Sequence, residues 1–154
     1  MRTHAKRFIL GGTGVAAIAT AALIFATTES EATPTGSMTT AQIKSLVMVS
    51  AARLGDRTPT DISYSALTTR DAALAVSSGD QIGGSYGSTP SYLVVAHGSF
   101  TAYGVSPPGS NVNPTGTVVT LVVDARSGQP TDSGIQDTTP DMSKLGPVTT
   151  IAGN

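Results

Sequence analysis

Cysteine is absent from all 154 residues, which excludes disulfides, thiolate metal sites and a cysteine nucleophile and leaves stability to packing alone. Tryptophan is absent too. Aromatic residues make up 5% and charged residues 12% of the chain, so the core must be aliphatic and the surface largely neutral. Cations are scarce beyond the N-terminus: after Arg7 only Lys44, Arg53, Arg57, Arg70, Arg126 and Lys144 remain, scattered among ten acidic residues that run from Glu29 to Asp141. Nucleic-acid binding needs a basic patch to meet phosphates, so no nucleic-acid partner is expected.

What the chain does contain is one long apolar stretch without a charge, Phe8 to Ala26 (FILGGTGVAAIATAALIFA). At about 1.5 Å per residue, a helix of this length spans nearly all of the roughly 30 Å hydrocarbon core of a bilayer. Arg2, Lys6 and Arg7 precede it, and Glu29 and Glu31 follow it. By the positive-inside rule the N-terminus stays inside and the C-terminal part faces out. Cleavage as a signal peptide would require small residues at −3 and −1, for which Ser30 with Ala32, or Ile24 with Ala26, are the options. The run exceeds the usual apolar length of a signal and is interrupted by Gly11, Gly12 and Gly14. It therefore reads as a retained single-pass anchor whose partner is the lipid bilayer, with secretion after cleavage as the alternative. Residues 27–38, with Pro34 and Gly36, read as a flexible linker.

One domain is expected over residues 39–138. Ile43, Leu46, Val47, Ser50, Ala51 and Leu54 recur at three- and four-residue steps, predicting an amphipathic helix from Ala41 to Leu54. Thr39 with Gln42 forms a capping box at its start, and Gly55 ends it. Asp61 to Thr68 alternates Ile62, Tyr64 and Ala66 against Ser63 and Ser65, the pattern of a half-buried strand. Arg70 to Val76 reads as a short helix capped by Thr68 or Thr69 and stopped by Gly79. Gly79 to Ser91 is loop.

The second half reads as β. Tyr92 to His97 is an apolar strand, Gly98 marks a bulge or a close approach, and alternation resumes through Phe100, Ala102 and Tyr103. A loop from Gly104 to Gly116 leads to the strongest strand, Thr117 to Asp124 (TVVTLVVD). Asp124 to Gly128 reverses the chain around an Asx acceptor, and a last strand covers Gln129 to Ile135. Residues 139–154, with Pro140 and Pro147, read as an irregular tail that packs Leu145 and Val148. The expected fold class is α+β: an N-terminal membrane helix, then an amphipathic helix packed on one face of a small antiparallel sheet.

A leading amphipathic helix, a strand YLVVAHGSF and a strand ending VVDARSGQPTD together resemble small exported bacterial proteins with a cystatin-like or PepSY-like sheet, over Thr39 to Asp137. The resemblance implies binding, inhibition or assembly at the cell envelope rather than one chemistry.

Few residues stand out as sites. His97 is the only histidine after the leader, and a hydrolase would need it paired with a nucleophile and an orienting carboxylate. No Gly-x-Ser-x-Gly elbow accompanies it. The glycines of Gly79 to Gly87 lack the lysine and hydroxyl of a phosphate loop. Asp124, Asp132, Asp137 and Asp141 lack the calcium-loop pattern, and Asn113 is followed by Pro114, which excludes it as a glycosylation acceptor. No catalytic residue, cofactor or metal site is assigned. Of the aromatics around the Tyr92 strand, Tyr92 and Phe100 read as core. Tyr86 and Tyr103 sit beside glycines and read as contacts for an envelope protein or glycan. The expected function is a non-catalytic binding or assembly module on the outer side of the cell membrane; the alternatives are a secreted hydrolase using His97, or a structural spacer.

Overall fold

Thr39 caps helix α1 (Thr40–Arg53): its hydroxyl accepts from the Gln42 N–H at 3.2 Å, and its own N–H donates to the Gln42 side chain at 2.8 Å. Both halves of the expected capping box are present. Gly55, with φ at +90°, follows the helix in the left-handed region that a side chain rarely adopts. The structure is a computed structural model that describes residues 37–105 and 111–152. The apolar run Phe8 to Ala26 and residues 27–36 of the linker lie outside the described residues. Among the described residues no helix is long and apolar enough to cross a membrane.

After α1 come β1 (Thr60–Ser65), β2 (Thr68–Thr69), α2 (Arg70–Ser77), the single turn α3 (Gly84–Gly87), β3 (Pro90–Thr101), β4 (Thr115–Asp124), β5 (Pro130–Gln136), a 3₁₀ turn (Met142–Leu145) and β6 (Val148–Ile151). The strands form one antiparallel six-stranded sheet in the order β5-β4-β3-β1-β6, with β2 also paired to β3. The class is α+β.

Both faces of this sheet are covered, where one covered face is the expectation. On one side Ile43, Val47 and Ala51 of α1 pack on Tyr92, Val94, Ala96, Val119, Leu121 and Val123. On the other, Ala73 and Leu74 of α2, with Met142 of the 3₁₀ turn, pack on Leu93, Val95, Val118 and Val122. Successive strand residues point to opposite faces, so β3 and β4 must be apolar without alternation. That is why YLVVA is an unbroken apolar run and VVTLVV is interrupted only by Thr120, which is buried with its hydroxyl donating to the Gly134 carbonyl at 3.4 Å. Burying each such side chain contributes about 1.5–3 kcal/mol.

Local features of β1 and β3 shape the centre of the sheet. β3 carries one extra residue between His97 and Phe100, the bulge expected at Gly98. A side chain at Gly98 would collide with the Asp56 carboxylate and the Phe100 ring, so close approach is equally required there. β1 bulges between Thr60 and Ser63, where Asp61 takes φ of +48°, a conformation that Asp tolerates better than most residues. Ser65 departs from the expected outward-facing pattern and is fully buried. Its hydroxyl accepts from the Leu93 N–H at 3.0 Å and donates to the Ala66 carbonyl at 2.8 Å, so a side chain takes the place of a backbone acceptor where β1 ends.

Residues beyond Thr138 are not irregular. Asp141 caps the 3₁₀ turn, Leu145 packs on the α2 side of the core, and β6 pairs Val148 through Ile151 with β1 as the sheet edge. Val148 itself stays exposed. The four residues Val148 to Ile151 are too short, and too soon after Pro147, for alternation to reveal a strand.

Candidate functional site

The sheet gives the domain two distinct ends. One, the turn end, carries the start of β3, the end of β1, the start of β6 and the β4–β5 reversal. At that reversal the Asp124 carboxylate accepts the N–H groups of Arg126 at 2.7 Å and Ser127 at 2.9 Å, and Gly128 takes φ of +67°. The opposite end carries the close of α1 and of β3, joined where the Thr101 N–H donates to the Leu54 carbonyl. β3 is twelve residues long, so its ends stand about 36 Å apart.

Tyr86 and Tyr103 lie at these opposite ends. Tyr86, 72% exposed, projects from α3 just before β3. Tyr103, 62% exposed, follows β3 and lays its ring against Gly55 at the end of α1. They do not form one patch. Tyr92 and Phe100, the aromatics between them, are core. Tyr92 meets Tyr64 edge to face with centroids 6.4 Å apart, and the Tyr64 hydroxyl shares a hydrogen bond with Thr40.

The loop carrying Tyr86 is held by a single carboxylate. Asp71, in the first turn of α2, accepts from the Ile82 N–H at 2.7 Å and from the Gly83 N–H at 3.1 and 3.2 Å to its two oxygens. Gly83 and Gly84 both have positive φ, which turns consecutive N–H groups toward an anion. The Asp71 carboxylate is that anion. Gly87 completes the fit, since a Cβ there would be placed on the Asp71 carboxylate. The glycine-rich segment is thus an internal carboxylate cradle.

Other acidic residues are bound in the same manner. Asp56 accepts from Thr58 and Ser99, and Asp137 accepts from Thr117. Asp141 accepts from the hydroxyl and N–H of Ser143. The Ser127 N–H, then that of Arg126, holds the Asp124 carboxyl below the ordinary carboxylate range, and the Ser143 hydroxyl does the same for Asp141. Asp132 receives a two-point bond from Arg70 at 2.8 and 2.9 Å. That bond, opposed in part by burial, raises the Arg70 guanidinium above its usual value. Asp124, Asp132, Asp137 and Asp141 therefore have four separate structural duties. Among the described residues no three His, Asp or Glu side chains are placed to hold a metal.

His97 sits half-buried in β3, with its Nε2 at 3.3 Å from the Thr139 hydroxyl. No carboxylate bonds to its ring among the described residues. Sequence reasoning missed a different set of side chains, the exposed aliphatics Leu67, Ile82 and Val148. Ile82 beside Gly83 and Leu67 between two strands were the only local signals, because apolar residues in turns have no periodicity to expose them.

These features define an α+β domain with an antiparallel sheet between two helical layers, in which Asp56, Asp71, Asp124, Asp137 and Asp141 accept from nearby N–H groups and Asp132 pairs with Arg70, while Tyr86 and Tyr103 stay exposed. No known protein family, curated protein or solved structure matches the chain.

Proposed function

We propose that the protein is an exported envelope protein, anchored by Phe8 to Ala26, whose outer α+β domain is a non-catalytic binding or assembly module. The observation that carries this reading is the division of labour among the side chains. The carboxylates described above cap turns or pair with Arg70, while Tyr86 and Tyr103 are left more than half exposed. Exposed aromatics anchor partners without chemistry, because a rigid ring offers large contact area at low entropic cost. The resemblance to cystatin-like or PepSY-like exported domains supports the same role.

Topology and fractionation test the reading. Protease added to intact cells is expected to remove the domain and leave an N-terminal fragment in the membrane. A soluble mature chain starting at Thr27 or Thr33 would replace the anchor with a cleaved signal. Intact protein in the cytosol would overturn export altogether. A hydrolytic activity that disappears in His97→Ala would overturn the non-catalytic role.

A further inference from the structure

We infer that the turn end of the domain rests against the surface of the bilayer in which the chain is anchored, with Leu67, Ile82, Tyr86 and Val148 entering the headgroup region. The inference builds on the anchored reading above and adds an orientation and a lipid-contact face.

Four exposed apolar side chains gather at this end. Leu67 lies in the step between β1 and β2, and Val148 opens β6 directly opposite Ser65 at the end of β1. The Ala66 N–H donates to the Pro147 carbonyl, drawing the two segments together. Ile82 is tied to the first turn of α2 by Asp71, and Tyr86 lies between that tie and the start of β3. The exposures are 53% for Leu67, 49% for Ile82, 72% for Tyr86 and 41% for Val148. A ring with a polar tip among aliphatic neighbours suits the boundary between headgroups and acyl chains.

The N-terminal chain enters at the same end. Met38 Cε lies 3.7 Å from where a side chain on Gly128 would begin, beside the β4–β5 reversal. Thirty-six residues precede the described structure, including the apolar run Phe8 to Ala26. A flexible linker of twelve residues, the length read for 27–38, would have a mean reach of roughly 19 Å. That is about half the length of β3, so the entry point, and not the Tyr103 end, is the side presented to the bilayer.

Arg126 in the β4–β5 reversal is exposed, as is Lys144 shortly before β6, and each is a cation that can meet a lipid phosphate.

The absence of cysteine makes a direct test clean. The full chain, carrying one cysteine at a time as Leu67→Cys, Tyr86→Cys, Val49→Cys or Tyr103→Cys, is labelled with an environment-sensitive fluorophore. It is then reconstituted in phospholipid vesicles that contain a headgroup-level quencher. Labels at 67 and 86 are expected to shift to shorter wavelength and to be quenched several-fold more than labels at 49 and 103. Adding Ile82→Ser and Val148→Ser to the Tyr86→Cys chain is expected to return its emission toward that of the 103 label. Mere proximity to the bilayer would produce quenching without the wavelength shift. If the chain floats with the vesicles while all four labels report water, the lipid contact is wrong and the anchor stands. If the chain fails to float, the anchored reading falls and takes this inference with it.

Discussion

The tie between Asp71 and the glycine loop predicts that two substitutions, each damaging alone, largely share one cost. Asp71→Ala removes the acceptor of the Ile82 and Gly83 N–H groups. Both donors lie in an exposed loop and regain water, so the loss is expected near the lower end of charged hydrogen bonds, about 1–2 kcal/mol. Gly87→Ala introduces a Cβ where the Asp71 carboxylate already stands. Displacing that carboxylate costs about 1–3 kcal/mol, typical of overpacking. The better backbone propensity of alanine in the α3 turn offsets up to about 1 kcal/mol of this. In the double variant the obstruction is gone, so Gly87→Ala is expected to be neutral or mildly stabilising once Asp71 is alanine. The coupling energy is then about 1–3 kcal/mol, well beyond the roughly 0.5 kcal/mol scatter of independent sites. Urea unfolding followed by circular dichroism at constant m-value measures all four corners of the cycle. Equal destabilisation by Gly87→Ala in both backgrounds would refute the cradle as the reason for a glycine at position 87.

Four further outcomes follow from other contacts. Asp132→Ala leaves Arg70 without its two-point partner in a site where the side chains are only 18% and 12% exposed; a loss of about 2 kcal/mol is expected in denaturant unfolding. Arg70→Lys is expected to recover only part of that interaction, because an ammonium cannot reproduce the planar fork. Ser65→Ala strips the acceptor from the buried Leu93 N–H and is expected to cost about 1–3 kcal/mol, with hydrogen exchange at Leu93 the sharper readout. The depressed carboxyls of Asp124 and Asp141 contribute stability that is complete above the ordinary carboxylate pKa of about 4 and is lost as pH falls through their lower folded values. Asp124→Asn keeps a side-chain acceptor for the turn but no longer titrates, so a flatter acid limb in a pH series of unfolding midpoints is expected.

Legibility in the sequence followed the range of the interaction. The α1 capping box, the Thr69 cap of α2, the Asx reversal at Asp124 and the β3 bulge near Gly98 all depend on residues within a few positions of one another. All four were readable for that reason. β6 was not, because four residues after a proline carry no period, and their strand character comes only from pairing with β1 some 85 positions earlier. The exposed tyrosines were visible as residues beside glycines, yet their separation to opposite ends of β3 was invisible until the strand had a length and a direction. The aliphatic residues at the Tyr86 end had only their place beside a glycine or between strands as a signal, since exposure of a lone Leu, Ile or Val depends on what fails to cover it.

By itself the sequence determined α1, β1, α2, β3, β4 and β5: a propensity, a cap or a turn is an agreement between neighbours along the chain, and it survives wherever the segment is placed. It also determined that β3 and β4 would be apolar on both faces. Only the tertiary structure decided which layers meet those faces, that Asp71 reaches across to Gly83, that Arg70 finds Asp132, and that the entering chain and four exposed apolar side chains share one end. Those outcomes depend on pairings between residues far apart in the chain. The hydrophobic effect that drives such pairings is non-directional, and a choice among them is made only when the whole core closes at once.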